Sequence, residues 1–303
     1  MQVSLLYFDE ESPAAQRLAA AVGIEALRME RHRFPDEELC LRLPDAELPE
    51  CLVVYRSLNR PNDKLVELML LARHARERGV RRLVLVAPYL AYMRQDIAFR
   101  PGELVSQRLV GGFLAELFDA LITVDPHLHR IERLEQAVPL RQAVALSAAP
   151  ALAEAIAERR RDALLLGPDA ESAQWVESAA RATGLAYGVC TKQRHGDREV
   201  EIALPELALA GRRVVLLDDI ASSGRTLAQA ARRVLAAGAA GVDVAVTHAL
   251  FAGDALSVIR QAGVEEVWST DSIPHQSNAV LLAPALAAAL NNVMAEHWHH
   301  SQV

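Results

Sequence analysis

Residues Val214 to Leu227 read VVLLDDIASSGRTL. Four apolar residues run into two adjacent carboxylates, Asp218 and Asp219, then into a small loop and a helix beginning near Thr226. A Val/Leu run without alternation is the pattern of a parallel strand covered on both faces. Ser222, Ser223 and Gly224 are small enough for backbone N–H groups to approach a ligand closely. The start of a helix turns its positive end to the same place, which makes an anion site. Sheets of α/β proteins collect ligands at the carboxyl ends of their strands, where this reading puts Asp218 and Asp219. Carboxylates beside an anion cradle suit hydroxyl groups or a metal ion, not the anion itself.

The same punctuation recurs along the chain. Short apolar runs at Val3–Phe8, Leu52–Arg56, Leu83–Pro88, Leu121–Val124, Ala163–Leu166, Val242–Thr247 and Glu266–Ser269 read as further strands. Between them lie helix-like stretches, among them Asn62–Arg78, Glu103–Leu117, Ala170–Thr183 and Thr226–Ala237, with Gly79, Gly184 and Gly238 at C-cap positions. Strand–helix alternation of this kind predicts an α/β fold with mostly parallel sheets. The stretch Pro139–Pro150 is the expected boundary, because a fresh strand–helix series starts after it. The two halves share a rhythm that points to related domains.

Composition narrows the classes. A chain of 303 residues suggests about two domains, and 51% hydrophobic with 23% charged residues permits a sizeable core. The net charge of -7, with acids and bases interspersed, argues against a duplex nucleic-acid binder. The start MQVSLLYFDEESP has no basic n-region, and no apolar run reaches the roughly 18 residues of a spanning helix. The expectation is a soluble cytoplasmic protein with neither nucleic acid nor membrane as partner. Cys40, Cys51 and Cys190 fit neither a disulfide framework nor a zinc spacing. Of 32 basic residues only Lys64 and Lys192 are lysine. Lys192 stands in a polar stretch and suits a compact, mobile ammonium; Lys64 begins a helix and reads as a solvated surface residue.

The segment Val214–Leu227 resembles the phosphoribosyl pyrophosphate-binding signature of type I phosphoribosyltransferases and of ribose-phosphate pyrophosphokinases. It departs from the commonest form at Ser222, where many members have Asp, and at Arg225, where they have Gly. Arg225 either adds charge to the phosphate site or faces solvent. Other segments resemble the pyrophosphokinases in particular: Phe34-Pro35-Asp36-Glu37-Glu38, the helix start Arg60-Pro61-Asn62-Asp63, Pro88-Tyr89-Leu90-Ala91-Tyr92-Met93-Arg94-Gln95-Asp96, Asp125-Pro126-His127, Gly167-Pro168-Asp169 and Thr191-Lys192-Gln193-Arg194. Thr247-His248 and Ser269-Thr270-Asp271-Ser272-Ile273 match supporting elements. The resemblance runs from Phe34 to the helix near Pro284. There is no Walker A motif, so the chain is not a P-loop kinase.

That resemblance implies two tandem phosphoribosyltransferase-like α/β domains, residues 1–143 and 144–283, with a C-terminal helix, 284–303, on the first. It implies transfer of diphosphate from ATP to the C1 hydroxyl of ribose 5-phosphate, with Mg²⁺ and in a homo-oligomer, a dimer or a hexamer. Phe34, Asp36, Glu37 and Glu38 would hold adenine, with Arg94 and Gln95 on ATP phosphates or ribose. His127 and Asp169 would serve the metal, and Asp169 also suits a helix N-cap. Asp218 and Asp219 would take the ribose hydroxyls and Ser222, Ser223, Gly224, Arg225 and Thr226 the 5-phosphate. Lys192 and Arg194 would close over the reacting phosphates. The alternatives are a phosphoribosyltransferase, which needs only the second half plus a base-binding hood, and a catalytically silent regulatory homologue.

Overall fold

The computed structural model describes residues 2–44, 47–195 and 199–300, without the side chains of 192–195, 199–201 and 296–300. It divides into one unit of Met1–Leu146 with Leu282–Val303 and another of Ser147–Leu281. In chain order the first unit forms β1 (Val3–Tyr7), α1 (Ser12–Val22), β2 (Glu25–Arg28), β3 (Glu30–Arg33), β4 (Leu39–Arg42), β5 (Cys51–Tyr55), α2 (Pro61–Glu77), β6 (Arg82–Ala87), α3 (Ser106–Leu117), β7 (Ala120–Val124) and β8 (Gln142–Leu146). Its sheet has the order β2-β1-β5-β6-β7-β8 and is parallel throughout. β3 and β4 pair antiparallel as a separate hairpin. The boundary expected after residue 143 falls inside β8, which pairs with β7 from Gln142 to Leu146, so the division comes at Leu146.

The second unit forms α4 (Ala149–Arg159), β9 (Leu164–Gly167), α5 (Ala173–Thr183), β10 (Tyr187–Val189), β11 (Thr191–His195), β12 (Glu199–Ala203), β13 (Arg213–Ala221), α6 (Arg225–Ala236), β14 (Gly241–Ala249), α7 (Ala255–Gln261), β15 (Val264–Thr270) and β16 (Asn278–Val280). The sheet order is β10-β9-β13-β14-β15-β16, again parallel, with β11 and β12 as a separate antiparallel hairpin. The last helix, α8 (Ala283–His300), belongs to the first unit and packs on α1, as α4 packs on α5 in the second. Arg82 Nη2 and Gln142 Nε2 both donate to the carbonyl of Val293, at 3.0 and 3.3 Å, which fixes α8.

All eight strands expected from the sequence are present. The central strands β5, β6, β7 and β14 are buried at every position, as both-sided cover requires. Helix ends follow local chemistry. Pro occupies the first turn of α1, α2 and α4, and glycine in the left-handed region closes α1 at Gly23 and α5 at Gly184. Among the described residues no helix is long and apolar enough to cross a membrane.

All three cysteines are free, Cys51 and Cys190 buried and Cys40 exposed on β4. Burial, reinforced by Asp119 against an opposing Arg82, pushes the Cys51 thiol up to about 11. Burial and the charge of Asp169 push Cys190 up to about 12. Thiolate is the reactive form, so iodoacetamide at pH 8 is expected to modify Cys40 alone in the native protein. Mass spectrometry would then count three modified thiols after denaturation; early modification of Cys51 or Cys190 would contradict this packing.

Candidate functional site

β13 reaches Ala221, four residues beyond the apolar run, because it pairs with β14 as far as Ala221 opposite Ala249. Asp218 and Asp219 therefore lie within the strand, not after it. Its other neighbour, β9, stops at Gly167, with Leu216 opposite Leu166. The two carboxylates thus stand past the end of β9, where Asp169 follows it. Asp169 and Asp219 are buried. Asp169 also caps the turn 170–172, accepting from Glu171 N at 3.1 Å. Asp219 N donates to Asp218 Oδ1 at 3.0 Å. Desolvation, then the charges of Asp219 and Asp169, hold the Asp218 carboxyl well above the usual carboxylate range. Three acids together make a strongly negative corner.

The loop after β13 is anchored from one side. Phe251 N donates to Ala221 O at 2.8 Å and Ala252 N to Ser222 O at 3.0 Å. Gly224, at φ 70°, precedes α6, and no side chain caps that helix, so its first-turn N–H groups remain for an anion. The glycine is required for another reason than ligand approach. A Cβ on Gly224 would lie 2.9 Å from Ala255 O and from the Ile259 side chain, so it is α7 that demands the close passage. Ser222 and Thr226 are half-buried, and Ser223 and Arg225 exposed. Behind β13, buried Thr247, His248, Thr270 and Ser272 bond to one another. Thr270 Oγ1 and Ser272 Oγ donate to Thr247 O at 2.7 and 2.9 Å. Ser272 Oγ has one proton, so the 2.9 Å contact places a donor proton on His248 Nδ1.

Lys192 and Arg194 fall on the backbone of β11, and their side chains lie outside the described residues.

In the first unit, Phe34, Asp36, Glu37 and Glu38 form the exposed tip of the β3–β4 hairpin. Phe34 N donates to Glu38 O and Glu37 N to Phe34 O, both at 2.9 Å, with Glu37 left-handed at φ 72°. The Phe34 ring is 43% exposed and meets His32 edge-on at 4.9 Å. After β6, Gln95 Oε1 accepts from Ser106 Oγ at 2.9 Å, and Arg130 Nη1 bonds Asp96 Oδ1 at 2.6 Å. The other Asp96 oxygen is buried without a partner among the described residues. Arg94 is exposed and pairs with no carboxylate among them. After β7, His127 and His129 bring their Nε2 atoms together, with ring centroids 4.0 Å apart.

Sequence reading missed a buried charge cluster at the carboxyl ends of β1 and β5. Arg56 is fully buried, its Nη1 on Glu11 at 2.7 Å and on Glu10 at 2.8 Å, its Nη2 on Glu67. Its guanidinium lies 4.1 Å from the Phe8 ring centroid. Lys64 is not solvated: it is buried, donating to Glu11 at 3.1 Å, Ser57 O at 2.5 Å and Asn59 at 2.8 Å. Its rarity as a lysine was the available signal. Burial resists ionisation of Glu10, but the charge of Arg56 and hydrogen bonds from Arg56 and Arg31 win and hold it down at about 2. On Glu11 burial wins and the carboxyl is raised. The cluster reaches the hairpin: Arg31 Nη1 bonds Glu67 at 2.8 Å and Arg33 Nη2 bonds Asp63 at 2.5 Å. Residues 31 and 33 share a strand face and 63 and 67 a helix face, so two rungs clamp β3 to α2.

Residues 3–117 match the N-terminal domain of ribose phosphate pyrophosphokinase, and residues 141–267 a phosphoribosyl transferase domain. A ribose-phosphate pyrophosphokinase of Methanopyrus kandleri is 38% identical over 282 residues, covering 92% of this chain and 95% of that one. One from Halobacterium salinarum is 35% identical over 289 residues, covering 94% and 100%. Among solved structures, phosphoribosylpyrophosphate synthetase from Mycobacterium smegmatis overlays with a TM-score of 0.82 at 21% identity, covering 98% of this chain and all of that one.

The carboxylates of Asp169, Asp218 and Asp219 repel one another. Asp218→Asn removes one, and the expected gain of about 1 kcal/mol raises the midpoint of thermal unfolding in EDTA by about 2–4 °C. Added magnesium is expected to raise the wild-type midpoint and close the gap. A variant less stable than wild type in EDTA would refute the repulsion.

Proposed function

Because the chain belongs to the ribose-phosphate pyrophosphokinase family, we propose that it transfers the terminal diphosphate of ATP to the C1 hydroxyl of ribose 5-phosphate, releasing AMP. The observation that carries this reading is the corner of the second unit, where Asp169, Asp218 and Asp219 meet the uncapped start of α6. Acids beside free N–H donors suit a phosphorylated sugar, which brings hydroxyls to the one and an anion to the other.

Ribose 5-phosphate takes its place there. Its hydroxyls donate to Asp218 and Asp219, and its phosphate accepts from the N–H groups and hydroxyls of residues 222–226. In the first unit the exposed Phe34 ring stacks on adenine, and Asp36, Glu37 and Glu38 accept from its amino group. Arg94 and Gln95 take triphosphate oxygens, to which a guanidinium fork is matched. The C1 oxygen forms a bond to the β-phosphorus as the bond from that phosphorus to the α–β bridging oxygen breaks, AMP leaves with that oxygen, and the hydroxyl proton passes to solvent. Such transfers depend on positioning and charge stabilisation, the role given to Lys192 and Arg194.

Magnesium is a hard cation that takes oxygen ligands. A corner that crowds three acids together, with the Asp218 carboxyl raised by burial and by the charges of Asp219 and Asp169, fits such an ion, and Asp169 is the proposed ligand. Magnesium, when bound, supplies charge neutralisation of the diphosphate. His127 offers a nitrogen, a poorer match to a hard ion, and serves the metal–nucleotide complex from the phosphate side. We place the enzyme in the cytoplasm, with its substrates, as a dimer or hexamer.

Purified protein given ATP, Mg²⁺ and ribose 5-phosphate is expected to form AMP only when the sugar is present. ADP would make it a simple kinase, and no product would favour the silent homologue. The clamp on the hairpin gives a second expectation. Arg33→Gln, which breaks the exposed pair with Asp63, raises KM for ATP roughly two- to fivefold. kcat and the KM for ribose 5-phosphate stay put. Equal rises in both KM values would count against the adenine role of the Phe34 tip.

A further inference from the structure

Two arginine pairs far apart in sequence are brought together at the opposite end of the second sheet. The turn Arg160-Arg161-Asp162-Ala163 leads into β9, and Gly211-Arg212-Arg213 leads into β13. These strands pair in parallel, Val214 opposite Leu164, so the turns are neighbours. Between them lies an open cavity of about 370 Å³, lined by all four arginines. Arg213 and Asp218 are separated by five residues of β13, about 17 Å at ~3.3 Å per residue. The cavity is thus separate from the sugar-phosphate corner and independent of the function proposed for it.

Two of the four guanidinium groups, those of Arg160 and Arg213, are held in place by carboxylates. Asp243 is fully buried beneath them. Its Oδ2 accepts from Arg160 Nε at 2.7 Å and lies 3.7 Å from Arg213 Nη1, while Oδ1 accepts from Glu266 N at 3.1 Å. Arg160 also lies over the Trp268 ring, 5.4 Å from its centroid. Arg213 bonds Glu265 at 2.7 Å, and Gly241 leaves room for that pair: a Cβ there would sit 2.9 Å from Arg213 Nη1. Asp243 and Glu265 thereby answer Arg160 and Arg213. Arg161 and Arg212 pair with no carboxylate among the described residues; Arg212 reaches only Asp162 O, at 3.5 Å. Asp162, exposed in the same turn, is the one other acid in the cavity lining. A set of planar donors around one open cavity suits an anion with many oxygens close together.

We propose that this cavity is a second anion site, which takes an inorganic diphosphate-type anion through Arg161 and Arg212. Arg160, held by Asp243, adds its remaining N–H groups. Guanidinium forks bind such oxygens bidentately. In a chain of net charge -7, this local excess of donors is where a free polyanion finds a partner outside the reaction site.

The test is isothermal titration of the full chain with inorganic diphosphate in EDTA, wild type against R161Q/R212Q. The double variant is expected to lose one equivalent of binding per chain, or at least tenfold in affinity for it. Its kcat and KM values for ATP and ribose 5-phosphate remain within twofold of wild type, and R161K/R212K recovers part of the binding. Identical stoichiometry and affinity in wild type and R161Q/R212Q would overturn the site. So would a variant that keeps diphosphate binding but changes its sedimentation coefficient, because the arginines would then serve a contact between subunits.

Discussion

Arg56 has no exposure to solvent, yet it remains charged, and the first unit is arranged around that fact. A guanidinium out of water is tolerable only when its charge is answered; both terminal nitrogens of Arg56 bond carboxylates, while Nε has no partner among the described residues. Glu10 and Glu11 come from the segment after β1, and Glu67 from the second turn of α2. Lys64 and Arg31 complete the balance of three bases against three acids. Removing one member of such a buried set costs about 3–5 kcal/mol. The cluster therefore fixes where α2 starts, and through Arg31 and Arg33 where the β3–β4 hairpin lies. A two-stranded ribbon is marginal by itself, so the clamp decides whether its tip is a defined surface.

The two units are variations on one plan. In each, the first six sheet strands in chain order lie as second, first, third, fourth, fifth, sixth, all parallel. In each, a hairpin is inserted between the second and third of these: β3–β4 in one, β11–β12 in the other. The helix packed against the first crossover helix precedes the sheet in the second unit, as α4. The first unit receives it from the far end of the chain, as α8. A shared scaffold with different inserted hairpins is an economical way to give two sites different ligands. One hairpin carries Phe34 and its acids, the other Lys192 and Arg194.

What the sequence disclosed follows the burial of each element. Every interior strand was legible, because cover on both faces forces an unbroken apolar run. The strands that escaped notice in the main sheets were their edges: β2, β8, β10 and β16. They are partly exposed, as in the mixed run Glu25, Ala26, Leu27 and Arg28, and carry little periodic signal. The hairpins escaped for the same reason, since β3 is exposed at all four positions. Asp218 and Asp219 were legible as chemistry because paired acids at the end of an apolar run have no packing role. Gly224 was legible as necessary, but its cause is the passage of α7, which only the fold reveals. Lys64 was misjudged because burial of a lysine depends on Glu11, 53 residues away in sequence.

The contrast between the two acidic groups separates scaffold from site. Around Glu11 and Glu67 every charge has an opposite within hydrogen-bonding reach. Around Asp218 the neighbours are Asp219 and Asp169, charges of the same sign, so the corner stores repulsion that folding alone does not relieve. Stability and ligand affinity are linked: whatever binds the folded state and quenches that repulsion returns the deficit as binding free energy. A buried charge cluster that balances itself is evidence for architecture. One that leaves like charges together at the carboxyl end of a parallel sheet, beside helix N–H groups that no side chain caps, marks a corner that folding alone does not complete.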